Sequence, residues 1–213
     1  MQKARLATAV AAAILSTTAF AADNGSAFDG VYAGAALGTV SSEYDFTITG
    51  KGLTVGLSAD DESRASLFAG LGKTFDQWYL GAELGWYDTM GAASTVVANG
   101  LIEVEGDAAK GVSVLPGFLA TPELLLYTRL AYLKGDTDTT LTNTNNGLGL
   151  TQSDSGTITG WGLGGRFAIN DNLSVRAEYV QYDGDDTNYV IDVPLEVENA
   201  DSTAMEIGIV YSF

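Results

Sequence analysis

Six charged side chains stand inside otherwise apolar, alternating segments: Glu83, Arg129, Arg166, Arg176, Glu178 and Glu206. Three acids and three bases so placed suit one chemistry, ion pairing away from water. Removing one partner of a buried pair costs about 3–5 kcal/mol, because the other charge is left stranded. Two residue types that carry much hydrolytic and metal chemistry are missing. The chain has no histidine and no cysteine. That removes Ser–His and His–Asp machinery, disulfides and thiol chemistry, and any His/Cys metal cluster. Asp183, Asp185 and Asp186 look superficially like an acidic metal loop. They lack the rest of a calcium-loop pattern, including its twelfth-position Glu. No catalytic residue, metal site or cofactor is expected.

The elements that must position the six charges are strands. The last nine residues, Met205-Glu206-Ile207-Gly208-Ile209-Val210-Tyr211-Ser212-Phe213, put Met, Ile, Ile, Tyr and Phe on one face. A period-two apolar face ending in an aromatic fits the closing strand of an outer-membrane β-barrel. Tyr211 and Phe213 are its candidate C-terminal assembly signal. Alternation predicts eight strands, at 29–41, 64–75, 78–88, 108–120, 124–134, 157–169, 173–183 and 203–213. Each is close to the ~9–11 residues that a tilted membrane strand needs. Asp76-Gln77, Thr121-Pro122-Glu123 and Asn170-Asp171-Asn172 make short turns at one end. The expected fold is all-β, an eight-stranded antiparallel up-and-down transmembrane barrel with short periplasmic turns and long extracellular loops. Its apolar face meets lipid and its Gly, Ser and charged face turns inward. Phe75, Trp78, Tyr79, Trp86, Trp161, Phe167, Tyr211 and Phe213 are expected in interfacial girdles. The competing reading is a soluble β-sandwich with ordinary aromatics.

The N-terminus supplies an address. Lys3 and Arg5 precede an Ala-rich apolar run, and Ala19-Phe20-Ala21 fits a cleavage site. Residues 1–21 are expected to be a signal peptide and 22–213 the barrel, placed in a bacterial outer membrane. Without Lys3 and Arg5 the chain has 8 bases against 27 acids, a net −19, so nucleic-acid phosphates would repel it. The 26 glycines, without a collagen period, suit close-packed strands and a crowded interior.

Four segments then resemble the transmembrane domain of the outer membrane protein A family. They are Gly34-Ala35-Ala36-Leu37-Gly38, Tyr79-Leu80-Gly81-Ala82-Glu83-Leu84-Gly85, Tyr127-Thr128-Arg129-Leu130 and Val175-Arg176-Ala177-Glu178-Tyr179. They fall on the first, third, fifth and seventh strands, in family order. The resemblance implies insertion by the outer-membrane assembly machinery and a role in envelope integrity, sometimes with a small gated pore or surface recognition. Larger family members continue into a peptidoglycan-binding domain. None follows the barrel in this reading, so wall tethering is not expected.

At ~2.5 Å of height per residue, the six charges lie ~8–18 Å up a ~25 Å apolar band, which predicts one layer across the lumen. One reading of that layer is a salt-bridged plug. The other is a gate in which Glu83 exchanges arginine partners. The resemblance matches Glu83 and Arg176 to a lumen ion pair. Gly117 stands where the family commonly has a lumen lysine and Arg166 where it has a lumen glutamate, leaving Arg166 or Arg129 as the exchange partner. Pro116 lacks a ladder N–H and predicts a bulge or gap. Lys73 has lipid-facing parity near a strand end, where snorkelling rescues it.

The long loops, 41–63, 88–107, 134–156 and 183–203, hold 19 acids against Lys51 and Lys134. They are β-rich. Hairpins are expected around Gly50-Lys51-Gly52 and Asn99-Gly100, a third tip at Asn146-Gly147, and alternation from Val190 to Val197. The bland reading is a solvated acidic surface. The others are divalent cations bridging to lipopolysaccharide, or an extracellular cationic partner. The expected function is a non-catalytic envelope barrel, with a small gated pore as one form of it; the alternative is surface adhesion or recognition through the loops.

Overall fold

The computed structural model describes residues 26–48, 53–58, 61–97, 100–143, 149–184, 187–191 and 193–213. The expected signal peptide, the Gly50-Lys51-Gly52 and Asn146-Gly147 tips, Asn99, Asp185 and Asp186 lie outside them. The strands are β1 (Gly30–Ile48), β2 (Leu53–Ser58), β3 (Glu62–Phe75), β4 (Trp78–Tyr87), β5 (Gly91–Val97), β6 (Gly100–Thr121), β7 (Leu124–Asn143), β8 (Gly149–Ala168), β9 (Leu173–Gly184), β10 (Thr187–Ile191) and β11 (Val193–Ser212). Eight of them, β1, β3, β4, β6, β7, β8, β9 and β11, pair in that order. β11 returns to β1 from Tyr32↔Ser212 to Ile48↔Leu195, so the antiparallel barrel is closed and has no edge within its membrane band. β2, β5 and β10 extend the wall above it.

The three short turns form as their residues dictate. Asp76 takes a positive φ of 55° between β3 and β4, a conformation that Asp tolerates. The Asn170 side-chain oxygen accepts from the amides of Asn172 and Leu173, at 3.0 and 2.8 Å, an Asx turn that starts β9.

Alternation then sorts the side chains. Leu37, Leu71, Leu84, Leu163 and Ile207 lie outward and are each more than 60% exposed. A water-facing sheet would not display such a surface, whereas lipid wets it. On β4, Trp78 and Trp86 stand outside, eight residues apart. That is about 21 Å of height at ~3.4 Å per residue and ~40° tilt, most of a ~25 Å apolar band. Trp78 packs edge-on against Phe118 with centroids 5.7 Å apart, and Tyr211 against Phe213 at 5.1 Å. Tyr79 departs from the girdle expectation. It is buried inside, because its neighbour Trp78 takes the outward position and alternation sends Tyr79 the other way.

Two residues that fit the pattern poorly are accommodated. β6 loses its ladder to β7 at Leu115 and Pro116, then resumes at Gly117↔Tyr127 in the same register. The outcome is a gap rather than a bulge. Pairing with β4 continues there through Leu80↔Pro116. Lys73 is outward-facing, and its Nζ reaches Asp29 Oδ2 at 2.8 Å, an ion pair at the periplasmic rim.

Candidate functional site

The lumen is filled in tiers. The lower tier packs Phe28, Tyr32, Phe68, Tyr79, Leu115 and Tyr127. The upper packs Val40, Tyr87, Met90, Leu133, Val180 and Tyr182. Two inward-turned residues finish the ends. Phe28, just before β1, is 1% exposed in the lower tier, and its neighbour Asp29 accepts from the Thr74 amide at 2.7 Å. Met90, just before β5, joins the upper tier, and its carbonyl accepts from the Ser42 hydroxyl at 3.0 Å.

Between the tiers sits an ion-pair quartet. Glu83 comes from β4, Arg129 from β7, and Arg176 and Glu178 from β9. Arg129 Nη2 lies 2.6 Å from Glu83 Oε1 and 2.8 Å from Glu178 Oε1. Arg176 Nη1 lies 2.8 Å from Glu83 Oε2, and its Nη2 lies 3.3 Å from Glu178 Oε2. Each acid therefore touches both arginines, in a ring of alternating charge. β4 and β9 are third and seventh of the eight barrel strands, so the ring reaches from one wall to the opposite one. Neutral partners complete it. Tyr127 donates to Glu178 Oε1 at 2.6 Å, Tyr32 to Glu83 Oε2 at 3.3 Å, and Arg129 Nη1 to Ser113 Oγ at 2.9 Å. Arg176 also stacks on Phe68, 3.3 Å from the ring centre. All four side chains of the ring are at most 3% exposed.

The remaining two predicted charges stand apart, so the single layer expected from strand heights divides. Glu206 pairs with Arg64, whose Nε lies 3.3 Å from Glu206 Oε1. Arg64 Nη2 donates to the Tyr182 hydroxyl at 3.1 Å, and its guanidinium lies 4.1 Å from the Tyr87 ring centre. Arg166 lies among the lower-tier aromatics. Its Nε and Nη2 donate to Ser174 and Ser212 hydroxyls at 2.6 and 2.7 Å, and its guanidinium stacks near Phe28 and Tyr32 at 5.3 and 4.9 Å. Among the described residues no carboxylate pairs with it. Of the two exchange partners expected for the Glu83–Arg176 pair, Arg129 lies at Glu83, and Arg166 bonds to Ser174 and Ser212 instead. Glu83 holds Arg129 and Arg176 together, through separate oxygens.

Arg64 was missed by sequence reasoning although its parity matches Ser66 and Phe68, because it sits where the pattern weakens at a strand end. The inward tyrosines were missed as a set. Their signal is the glycine beside each. A methyl group at Gly72 or Gly81 would meet the Tyr79 ring, one at Gly85 the Tyr87 ring, and one at Gly164 the Tyr127 ring. Glycine at those places gives the aromatic planes room to lie against the wall.

The family described as the outer membrane protein beta-barrel domain matches residues 7–213. No curated protein matches the chain. Several solved structures are similar to it. Ail, the attachment invasion locus protein of Yersinia pestis, is 15% identical with a TM-score of 0.48, covering 87% of this chain and 99% of its own. OprG of Pseudomonas aeruginosa is 14% identical with a TM-score of 0.49, covering 89% and 99%. The outer membrane protease OmpT of Escherichia coli is 9% identical with a TM-score of 0.51, covering 90% and 99%. At such identity a shared fold is all the likeness carries. With a closed eight-stranded barrel, an outward apolar band and a family match over nearly the whole sequence, this chain belongs to the outer membrane protein beta-barrel domain family and resides in the bacterial outer membrane.

Proposed function

We propose that the protein is a non-catalytic envelope barrel that contributes to outer-membrane structure and keeps its lumen closed. The supporting observation is the wall-to-wall quartet of Glu83, Arg129, Arg176 and Glu178, buried between two apolar tiers. An eight-stranded interior is just wide enough for side chains to fill, and here paired charges and aromatic rings occupy it. The lack of histidine argues against Ser–His and His–Asp hydrolysis. OmpT is a protease, but a likeness at that identity carries no chemistry to this chain. The partners in this reading are outer-membrane lipid and lipopolysaccharide, with divalent cations bridging at the acidic loops. Tyr211 and Phe213 would present the strand end to the assembly machinery.

Planar-bilayer recording on refolded protein tests the closed lumen. Wild type should show no steady conductance. Glu83→Ala removes one of the two acids that tie Arg129 to Arg176, and it should give brief openings. A steady wild-type conductance would overturn the plug, and silence from both proteins would remove any gated pore. A second reading, surface recognition, is favoured by strands that run on beyond the membrane band in β1, β6, β7, β8 and β11.

A further inference from the structure

Above the membrane band the wall divides. β2 continues the course of β3 and pairs with β1, from Glu43↔Ser58 to Ile48↔Leu53. β5 continues β4 and pairs with β6, from Gly91↔Gly106 to Val97↔Gly100. Yet the β3–β4 ladder ends at Ser66↔Tyr87, and among the described residues no ladder joins β2 to β5. The β8–β9 ladder likewise ends at Ile158↔Gly184, while β10 carries the β9 register onward along β11, with Gly184 opposite Ala200 and Thr187 opposite Val197. The other two seams stay zipped. β1 follows β11 as far as Ile48↔Leu195, and β6 follows β7 as far as Gly100↔Asn143. The extension is therefore two four-stranded leaves, β2-β1-β11-β10 and β5-β6-β7-β8, rising from one closed barrel.

At one seam the facing edges are β2 and β5. Natural sheets guard open edges with lysine, proline or inward charge, because a row of unpaired N–H and C=O groups recruits another strand. Among the described residues of these two strands none of those guards is present. β2 (LTVGLS) and β5 (GAASTVV) contain no charged residue and no proline. The charge lies elsewhere in the leaves. Beyond the last closed rungs, the described strand segments hold Glu43, Asp45, Glu196 and Glu198 in one leaf and Glu103, Glu105, Asp107, Asp136, Asp138 and Asp154 in the other, with no lysine or arginine among them. The root of the seam is fixed, since the Met90 carbonyl before β5 accepts from Ser42 on β1 and Ser202 on β11. The seam has a firm floor, a stretch where β5 comes close to β1 and β2, two edges with neither charge nor proline, and acidic leaves around them.

From this placement we propose that the seam between β2 and β5 is a docking slot for an extended, lysine- or arginine-rich segment of another polypeptide. The segment would add as a strand to one edge. Main-chain hydrogen bonds would supply affinity, and the acidic leaves would steer the basic segment in and reject acidic competitors. A polypeptide is the occupant that can match the edge's alternating donors and acceptors. The slot operates whether or not the lumen conducts.

The test uses the full mature chain refolded in lipid nanodiscs, with a fluorescent peptide of alternating lysine and valine as the probe. A second peptide of the same sequence, N-methylated at every other residue, keeps the charge and loses the ladder donors. Anisotropy should show the parent peptide binding and the methylated one binding at least tenfold more weakly. The double variant Val55→Lys, Val96→Lys guards both edges and adds like charge, and it should weaken the parent peptide at least tenfold while the heat-resistant barrel band persists. Equal binding of the two peptides would reduce the effect to plain charge attraction and overturn the slot. So would no binding at low salt, unchanged binding by the double variant, or a particle mass showing that a second copy of this chain fills the seam.

Discussion

Arg129 and Arg166 are both buried arginines of the same lumen, and their surroundings set them apart. Arg129 touches two carboxylates, Glu83 and Glu178. Arg166 touches two hydroxyls and two aromatic rings. Removing one member of a buried ion network strands the others, whereas an apolar replacement is nearly neutral where no opposite charge is left behind. Arg129→Met should therefore cost about 3–5 kcal/mol, and Arg166→Met about 1 kcal/mol or less, with the Met thioether resting on Phe28 and Tyr32. Denaturant unfolding of both variants in lipid vesicles measures the difference. Equal losses would mean that the quartet does not hold its members more tightly than the aromatic tier holds Arg166. A second prediction concerns Tyr127, which donates to Glu178 at 2.6 Å while its ring lies against Gly164. Gly164→Ala should push the ring off the wall and lengthen that bond, lowering stability by about 1–3 kcal/mol as for an overpacked site. At this scale the sequence was legible by parity. It set Glu83, Arg129, Arg166, Arg176, Glu178 and Glu206 inward, but it gave no means of deciding which acid meets which base. Partner choice depends on side-chain reach across a lumen whose width and stagger come from all eight strands together.

At the scale of the strands, the closing seam is the most demanding contact. Gly38 on β1 stands opposite Glu206 on β11, and a methyl group there would run into the Met205 carbonyl and the Glu206 backbone. Gly156 on β8 has nothing near such a methyl group. Gly38→Ala should slow closure of the barrel and reduce the heat-modifiable folded band on cold gel electrophoresis, while Gly156→Ala should leave that band unchanged. Equal behaviour of the two would show that β1 and β11 do not approach as closely as described here. The strand positions in the membrane band followed from alternation, as Val112, Val114 and Phe118 outside against Ser113 inside illustrate. The upper halves of β6, β7 and β8 did not. Stretches such as Thr137-Asp138-Thr139-Thr140 in β7 have no apolar face, since water lies beyond the membrane on either side. There the ladder rests on backbone pairing and β-branched propensity, and that signal cannot separate a barrel strand that runs on from an independent loop hairpin.

At the scale of the whole molecule, the barrel turns a soluble protein's arrangement inside out only in part. Leucine, tryptophan and isoleucine clothe the outside, yet Leu115, Leu125, Leu133, Val40, Val180 and Val210 are fully packed inside. The charged ring occupies the middle of the lumen, and apolar tiers close it above and below. The family and the architecture were readable from the closing strand, Met205 to Phe213, together with the paired-charge segments. The tiered lumen and the two leaves were not, because both arise from how strands are staggered around a closed wall. This architecture depends on hydrocarbon contacting the outward face. Trp78, Trp86 and Trp161, the chain's three tryptophans, all lie on that face, near the two ends of the apolar band. Depth-dependent quenching of their fluorescence by brominated lipids tests this directly. The expected result is strong quenching that peaks for bromines placed toward the headgroups. Tryptophan emission that no brominated lipid quenches, from a folded chain, would contradict it.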